Sequence, residues 1–316
     1  MLPVVVGVVG PTATGKSDLA IALAERLQGE VVGADASQLY RGMDVGTAKV
    51  PLDQRHGIPH HQVDVLDVTD EATVAAYQRH ARADVDAVLA RCAVPVVAGG
   101  SGLYVRAALD RLEIPPTDPA VRAGLEERLA TEGLAPLVDE LRRVDPRAAA
   151  DIDPGNARRV VRALEVTAIT GRPFSATMPT REFVRPTVLV GLRTHRAALD
   201  ERVERRTRAM FDGGLVEETR ALLSVGLRHG RTASRAVGYA QAIAVLDGTM
   251  TLADAVSDTT ARTRRLVRRQ ESWFRPDPRI AWFEALDDGL VDAVVRHVED
   301  AASGIRPASR DNGPHG

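Results

Sequence analysis

Residues 2–17 read LPVVVGVVGPTATGKS. Leu2 to Val9 is an unbroken apolar run, the pattern of a strand buried on both faces of a parallel sheet. Gly10-Pro11-Thr12-Ala13-Thr14-Gly15-Lys16-Ser17 then matches G-x-x-x-x-G-K-[ST]. From Gly15 to Gln28 the apolar residues Leu19, Leu23 and Leu27, with Ala20 and Ala24, recur at helical spacing, and Gly29 ends the stripe. Strand, glycine loop and helix in that order form a phosphate cradle. Glycines let backbone N–H groups converge on phosphate oxygens, and the helix N-terminus adds its positive end. Lys16 would neutralise the phosphates, and the Ser17 hydroxyl can ligate magnesium. The loop predicts a phosphate site without saying which phosphate compound it takes.

Beyond this segment, Val31–Ala34, Val63–Leu66 and Val94–Ala98 read as further strands. A helix carrying Val74, Ala81, Val85, Val88 and Leu89 on one side separates the last two. Strands alternating with helices predict an α/β fold with a parallel sheet and right-handed crossovers. The pattern changes at Ile114-Pro115-Pro116-Thr117-Asp118-Pro119, after which the periods are helical to about Thr170. Strand character resumes at Thr187–Leu192. Helices are expected over Arg196–Phe211, Val216–Leu223, Ser234–Leu246 and Leu252–Trp273, and a last strand over Arg279–Phe283. The expected division is 1–114 for the first part of the core, 115–185 for a helical insertion, 186–302 for completion of the core, and 303–316 for a disordered tail.

The 316 residues are 44% hydrophobic and 27% charged, which excludes collagen-like and wholly disordered classes. No apolar stretch approaches the roughly 18 residues of a membrane-spanning helix. The N-terminal segment lacks a basic leader region, so it is expected to be a first strand rather than a secretory signal. The single cysteine, Cys92, cannot pair within the chain, which fits a cytoplasmic protein. The net charge of −2 advertises no general affinity for nucleic acid. Lys16 and Lys49 are the only lysines among 41 basic residues. An ammonium kept where guanidinium is otherwise used suggests a need for a compact charge.

Asp35 follows the second strand at its carboxyl end, where ligands of open α/β sheets bind. It reads equally as a helix N-cap. Asp64 and Asp67 fit either an acid holding magnesium or its water shell, or turn capping. His60-His61 has no third ligand at a recognisable spacing and reads as structural. Gly99-Gly100-Ser101-Gly102-Leu103-Tyr104 would bring a hydroxyl and free N–H groups to the same sheet edge, or merely make a tight turn. Thr259 to Arg275 concentrates Arg262, Arg264, Arg265, Arg268, Arg269 and Arg275, with Gln270 and Trp273 interleaved, against one acid, Glu271. A charge run is usually a solvated face; this one tilts toward a polyanion. Arg158, Arg159 and Arg162 form a second basic cluster. Two basic patches and a phosphate loop point to a small phosphate substrate and a large one.

The blocks GPTATGKS, DASQLYRGMDVGTAK, GIPHH, GGSGLYVRAAL, RRVVRALEV, SRAVGYAQA and TRRLVRRQESWF occur in the order seen in the tRNA dimethylallyltransferase family, which the chain resembles from about Val4 to Phe283. The resemblance implies a P-loop NTPase-like core with a helical insertion domain. It also implies transfer of a dimethylallyl group from dimethylallyl diphosphate to N6 of the adenosine 3′-adjacent to the anticodon in tRNAs. On that likeness Asp35 is the base, Ser101 touches the reacting groups, and Arg235 assists the Gly10–Ser17 loop and Mg²⁺ in holding the diphosphate. The tRNA would be met by Asp35, Ala36, Ser37, Gln38, Ser101, Arg158, Arg159, Arg162, Arg265 and Arg269. A monomer without membrane attachment is expected. The chain departs from the family at Ala36, where serine is usual, at Ser37, where methionine is common, and at Ser101, where threonine is commoner. An ATP-dependent small-molecule kinase using the same loop is the enzymatic alternative, and a non-catalytic RNA-binding module is the other rival.

Overall fold

Val5–Val9 forms β1 and is buried along its whole length. The chain leaves it through the glycine loop into α1 (Lys16–Leu27), returns as β2 (Gly29–Gly33), and pairs briefly as β3 (His60–His61). Helix α2 (Val74–Ala90) leads to β4 (Val94–Gly99) and α3 (Gly102–Leu109). Four helices follow: α4 (Pro119–Glu132), α5 (Leu134–Val144), α6 (Pro146–Asp151) and α7 (Ala157–Thr170). Then come β5 (Thr187–Arg193), α8 (Arg196–Asp212), α9 (Leu215–Ser224), α10 (Tyr239–Leu246), α11 (Leu252–Phe274), β6 (Ile280–Glu284) and α12 (Leu290–Gly304). This computed structural model describes residues 4–177 and 181–304. No described helix is long and apolar enough to cross a membrane.

The six strands form one sheet in the order β3-β2-β4-β1-β5-β6, with every neighbouring pair parallel. All the carboxyl ends therefore lie on one edge. β1 sits between β4 and β5, so its outgoing loop opens where the strand order reverses, the place at which such sheets bind ligands. Val6 and Val8 of β1 share a core with Leu19, Leu23 and Ala24 of α1 and with Val294, Val295 and Val298 of α12. Beside the glycine loop, Ala13 packs with Leu199 and Val203 of α8 and Val267 of α11.

The chain divides into two compact units: one runs to Leu109 and resumes at Phe183, and the other is Asp110–Glu182. Among the described residues of the second unit, every regular element is a helix. Asp118 caps α4 with Pro119 in its first turn, Asp145 caps α6, and Asn156 caps α7. Its core gathers Leu125, Leu137, Leu141, Val160, Val161 and Leu164. Glu165 is wholly buried in it and is paired by Arg122 and Arg162.

Three details differ from the sequence reading. The third strand is His60–His61, paired with Val31 and Val32, and not Val63–Leu66. Gln62 and Asp64 take left-handed backbone at φ 56° and 58°, which breaks extension, and Leu66 keeps only an isolated bridge to Tyr40. The helix expected over Ser234–Leu246 is a short 3-10 turn, Ala233–Arg235, followed by α10, because Gly238 at φ 96° interrupts it. Ser303 and Gly304, expected in the tail, form the end of α12, and residues 305–316 lie outside those described, as do Leu2 and Pro3.

Candidate active site

The phosphate loop is held open by its backbone. Gly10 has φ +139°, and a Cβ there would meet the Leu192 carbonyl oxygen at 2.5 Å; Gly15 has φ +87°. The Thr14 hydroxyl and the Lys16 ammonium both donate to the Pro11 carbonyl, at 2.8 and 2.6 Å. From α8, Arg202 donates to the Ala13 carbonyl at 2.7 Å. Burial, reinforced by the nearby Arg206 guanidinium, pushes the Lys16 pKa down to about 7, while the Asp35 charge opposes the fall. Burial also lowers the Arg206 pKa, opposed by Asp35 and Asp18. Lys16, Arg206 and Asp35 therefore share one electrostatic neighbourhood. Ser17 is exposed on the first turn of α1.

Asp35 leaves β2 just after Ala34, whose N–H continues the ladder to the Ala98 carbonyl at 2.8 Å. One carboxylate oxygen of Asp35 accepts the Ser37 N–H at 2.9 Å. Gln38 donates its side-chain amide to the Thr47 carbonyl at 3.1 Å, and Arg206 donates to the same oxygen at 3.3 Å. Ala36 and Ser37 are half-buried. The rings of Tyr77 and Tyr104 pack at a tilt of 44° with centroids 4.5 Å apart. Burial raises the Tyr104 pKa to about 12, with smaller contributions from the charges of Tyr40 and Asp35.

Gly99, Gly100 and Gly102 are glycines for space. A Cβ on Gly99 would strike the Ala34 carbonyl, one on Gly100 the Gln270 amide, and one on Gly102 the Trp273 ring. Between them Ser101 is half-buried, and its carbonyl accepts the Val105 N–H at 2.9 Å as α3 begins. The tight packing of these glycines accounts for the turn, and it leaves Ser101 just past the carboxyl end of β4.

The remaining candidates separate by their partners. Asp64 pairs with Lys49 at 2.5 Å, and Asp67 with Arg41 at 2.8 Å. Lys49 also meets Asp44 and the Tyr40 carbonyl, so it is an internal clamp on the 40–64 loop. His61 contacts Glu30 at 2.6 Å and His60 the Ile58 carbonyl. Among the described residues no three His, Cys, Asp or Glu side chains cluster as for a metal. On α11, Arg262 pairs with Asp258, and Arg264 with Glu204. Arg265, Arg268, Arg269 and Arg275 are exposed, with no ion pair or side-chain hydrogen bond among the described residues. Arg235 is exposed on its 3-10 turn. In the helical unit Arg158 and Arg159 are exposed, whereas Arg162 is committed to Glu165 and to the carbonyls of Pro115 and Pro116.

Sequence reasoning missed Arg202 and Arg206. They stand four apart on α8, hence on one face, but an arginine-rich helix gives no signal distinguishing those two. That reasoning counted Gln270 only as a residue interleaved in the basic run, whereas the side chain is bonded to two loops.

Residues 38–277 match the family model described as IPP transferase. The chain is 56% identical over 299 residues to the tRNA dimethylallyltransferase of Nocardia farcinica, covering 94% of this chain and 96% of that protein. It is 57% identical over 298 residues to the tRNA dimethylallyltransferase of Salinispora arenicola, covering 94% and 87%. Its structure resembles that of the full-length tRNA isopentenylpyrophosphate transferase of Bacillus halodurans, with a TM-score of 0.70, 35% identity, and coverage of 96% and 97%.

Proposed function

The chain belongs to the IPP transferase family, and from that premise we propose that it transfers a dimethylallyl group from dimethylallyl diphosphate to N6 of the adenosine just 3′ of the anticodon in tRNA. The observation that carries the reading is the shared field of Asp35, Lys16 and Arg206 at the carboxyl edge of the sheet. A carboxylate that can accept a proton and two cations that can meet a leaving anion lie within range of one another's charge there. The protein acts in the cytoplasm as a monomer.

The exocyclic amine of adenine is a weak nucleophile because its lone pair is delocalised into the ring. Its attack on the allylic C1 forms the N–C bond as the C1–O bond breaks, and the diphosphate leaves with the electron pair. Asp35 takes the N6 proton. Its Oδ1 is held by the Ser37 N–H, which fixes the carboxylate and leaves the other oxygen for the base role. Lys16, Arg206 and the loop N–H groups from Ala13 to Ser17 stabilise the departing anion. Ser101 bears on the acceptor, and Arg235 assists on the diphosphate side.

Magnesium fits the residues present. Mg²⁺ is usually held by one or two protein oxygens together with phosphates and water. The Ser17 hydroxyl, exposed at the start of α1, is one such oxygen, and no cluster of acids is needed. Bound there, the ion would supply positive charge to the diphosphate. The large substrate is an anticodon loop, whose target base costs less to extrude than one in a duplex. The exposed arginines of α11 and Arg158 and Arg159 of α7 would meet its phosphates.

The test mixes the protein with labelled dimethylallyl diphosphate and total tRNA. Label recovered as N6-dimethylallyladenosine after nuclease digestion is expected. Absence of label in tRNA, with phosphate transferred from ATP to a small molecule instead, would give the loop to a kinase.

A further inference from the structure

Gln270 is 8% exposed on a helix whose adjacent Arg268 and Arg269 face solvent. Its Oε1 accepts the Thr12 N–H of the phosphate loop at 2.9 Å. Its Nε2 donates to the Gly100 carbonyl of the glycine-serine loop at 3.0 Å. The amide orientation follows from the partners, because an N–H needs an acceptor and a carbonyl needs a donor. Gly100 has no room for a Cβ beside this amide, so the approach is close from both sides. One turn further on, Trp273 closes on Gly102 in the same way. Ser101 is thus held between two glycines that are both packed against α11.

On the transfer reading above, Thr12 belongs to the loop that holds the donor diphosphate, and Ser101 to the loop that faces the acceptor base. We propose that Gln270 is a positioning residue that sets the distance between donor and acceptor, acting through these two loops without touching either substrate. Its two hydrogen bonds fix both loops against one rigid helix. Losing them frees each loop by a fraction of an ångström while the cradle and the arginine face persist. In-line attack on C1 depends on near-attack geometry, and misplacements of about 1 Å can cost on the order of 100-fold in rate. The effect belongs in the chemical step, with binding of either substrate little changed.

The experiment compares wild type with Gln270→Met, which keeps length but loses both bonds, and Gln270→Glu, which keeps the acceptor and loses the donor. Single-turnover transfer, tRNA affinity, affinity for a non-transferable dimethylallyl diphosphate analogue and thermal melting are measured for each. The single-turnover rate is expected to fall roughly 10- to 100-fold in Gln270→Met, with tRNA affinity and analogue affinity within about threefold. Gln270→Glu should also be slowed. A folded Gln270→Met protein that transfers at the wild-type rate overturns the proposal. So does a loss confined to analogue affinity, which would make Gln270 part of the cradle alone. Failure of both variants to fold would assign Gln270 to stability and overturn it too. Failure of the transfer reading is seen separately, as no transfer by wild type.

Discussion

The Lys16 ammonium is turned back onto the Pro11 carbonyl of its own loop, 2.6 Å away. A diphosphate therefore competes with an internal acceptor for this charge, and it does so where burial and Arg206 have already lowered the pKa to about 7.

This gives a pH dependence with a definite sign. Above pH 7 a growing share of the free protein carries neutral Lys16, while bound diphosphate favours the ammonium, so binding takes up a proton. Affinity for the analogue should fall by up to about tenfold per pH unit as pH rises from about 7.5 to 9. The ligand-free protein responds in the opposite sense. Its unfolded chain binds the proton up to the ordinary lysine pKa, so this group's contribution to stability grows as pH rises above 7. Calorimetry in buffers of different ionisation enthalpy measures the uptake. Lys16→Arg stays charged throughout and should abolish it; uptake that persists in Lys16→Arg belongs to another group.

The arginines of α11 divide into paired and unpaired sets. Neutralising Arg265 and Arg269 together should weaken tRNA binding and flatten the slope of log K against log salt by roughly 0.7–0.9 for each phosphate that the variant no longer neutralises. Arg262→Ala is the control, because its guanidinium is engaged by Asp258 at 2.6 Å. Equal slopes in the Arg265/Arg269 double variant and wild type would return α11 to an ordinary solvated face.

Two basic residues that looked functional in the sequence should instead govern stability. Lys49 has a side chain only 3% exposed, bonded to Asp44, Asp64 and the Tyr40 carbonyl. Lys49→Met should cost about 2 kcal/mol, the scale of hydrogen bonds to a charged group. Arg162→Ala leaves the buried Glu165 with less compensation and should also lower the melting temperature. Scanning calorimetry checks both. An unchanged melting point with weakened tRNA affinity would reverse the assignment for Arg162.

The parts of the site legible in the sequence are those in which one local stretch dictates both backbone and chemistry. The run from Val5 to Ser17 announces strand, glycine turn and helix together, and Asp35 is placed by the strand before it. His60–His61 escaped because a two-residue edge strand has no periodicity, and its pairing is set by β2, far away in sequence. Lys49 was singled out by its rarity, but rarity does not distinguish a phosphate ligand from an internal clamp; only the fold brings Asp64 to it. Arg206 was hidden the other way, as one of several arginines on α8, and only tertiary structure sets it beside Asp35. Gln270 carries no charge and sits inside a basic run, so nothing local marks it as the tie between two loops.

Asp35 should govern the chemical step more than binding. Its Oδ1 already accepts the Ser37 N–H at 2.9 Å, and the amide oxygen of asparagine can accept the same bond. Asp35→Asn therefore preserves the turn that follows β2, and asparagine is itself a good cap. What it removes is the carboxylate that accepts the N6 proton. Positioned proton transfer contributes about 10²–10⁴-fold, so the single-turnover rate should fall by that order. The asparagine variant also withdraws a negative charge from beside Lys16 and Arg206, whose pKa values Asp35 now supports. The pKa of Lys16 should then drop further, and the pH at which diphosphate affinity begins to fall should move down with it. A purely structural Asp35 predicts neither change, because asparagine keeps the bond from the Ser37 N–H. Wild-type single-turnover rates in a folded Asp35→Asn protein would remove this carboxylate from the reaction, and an unshifted affinity profile would remove it from the field around Lys16.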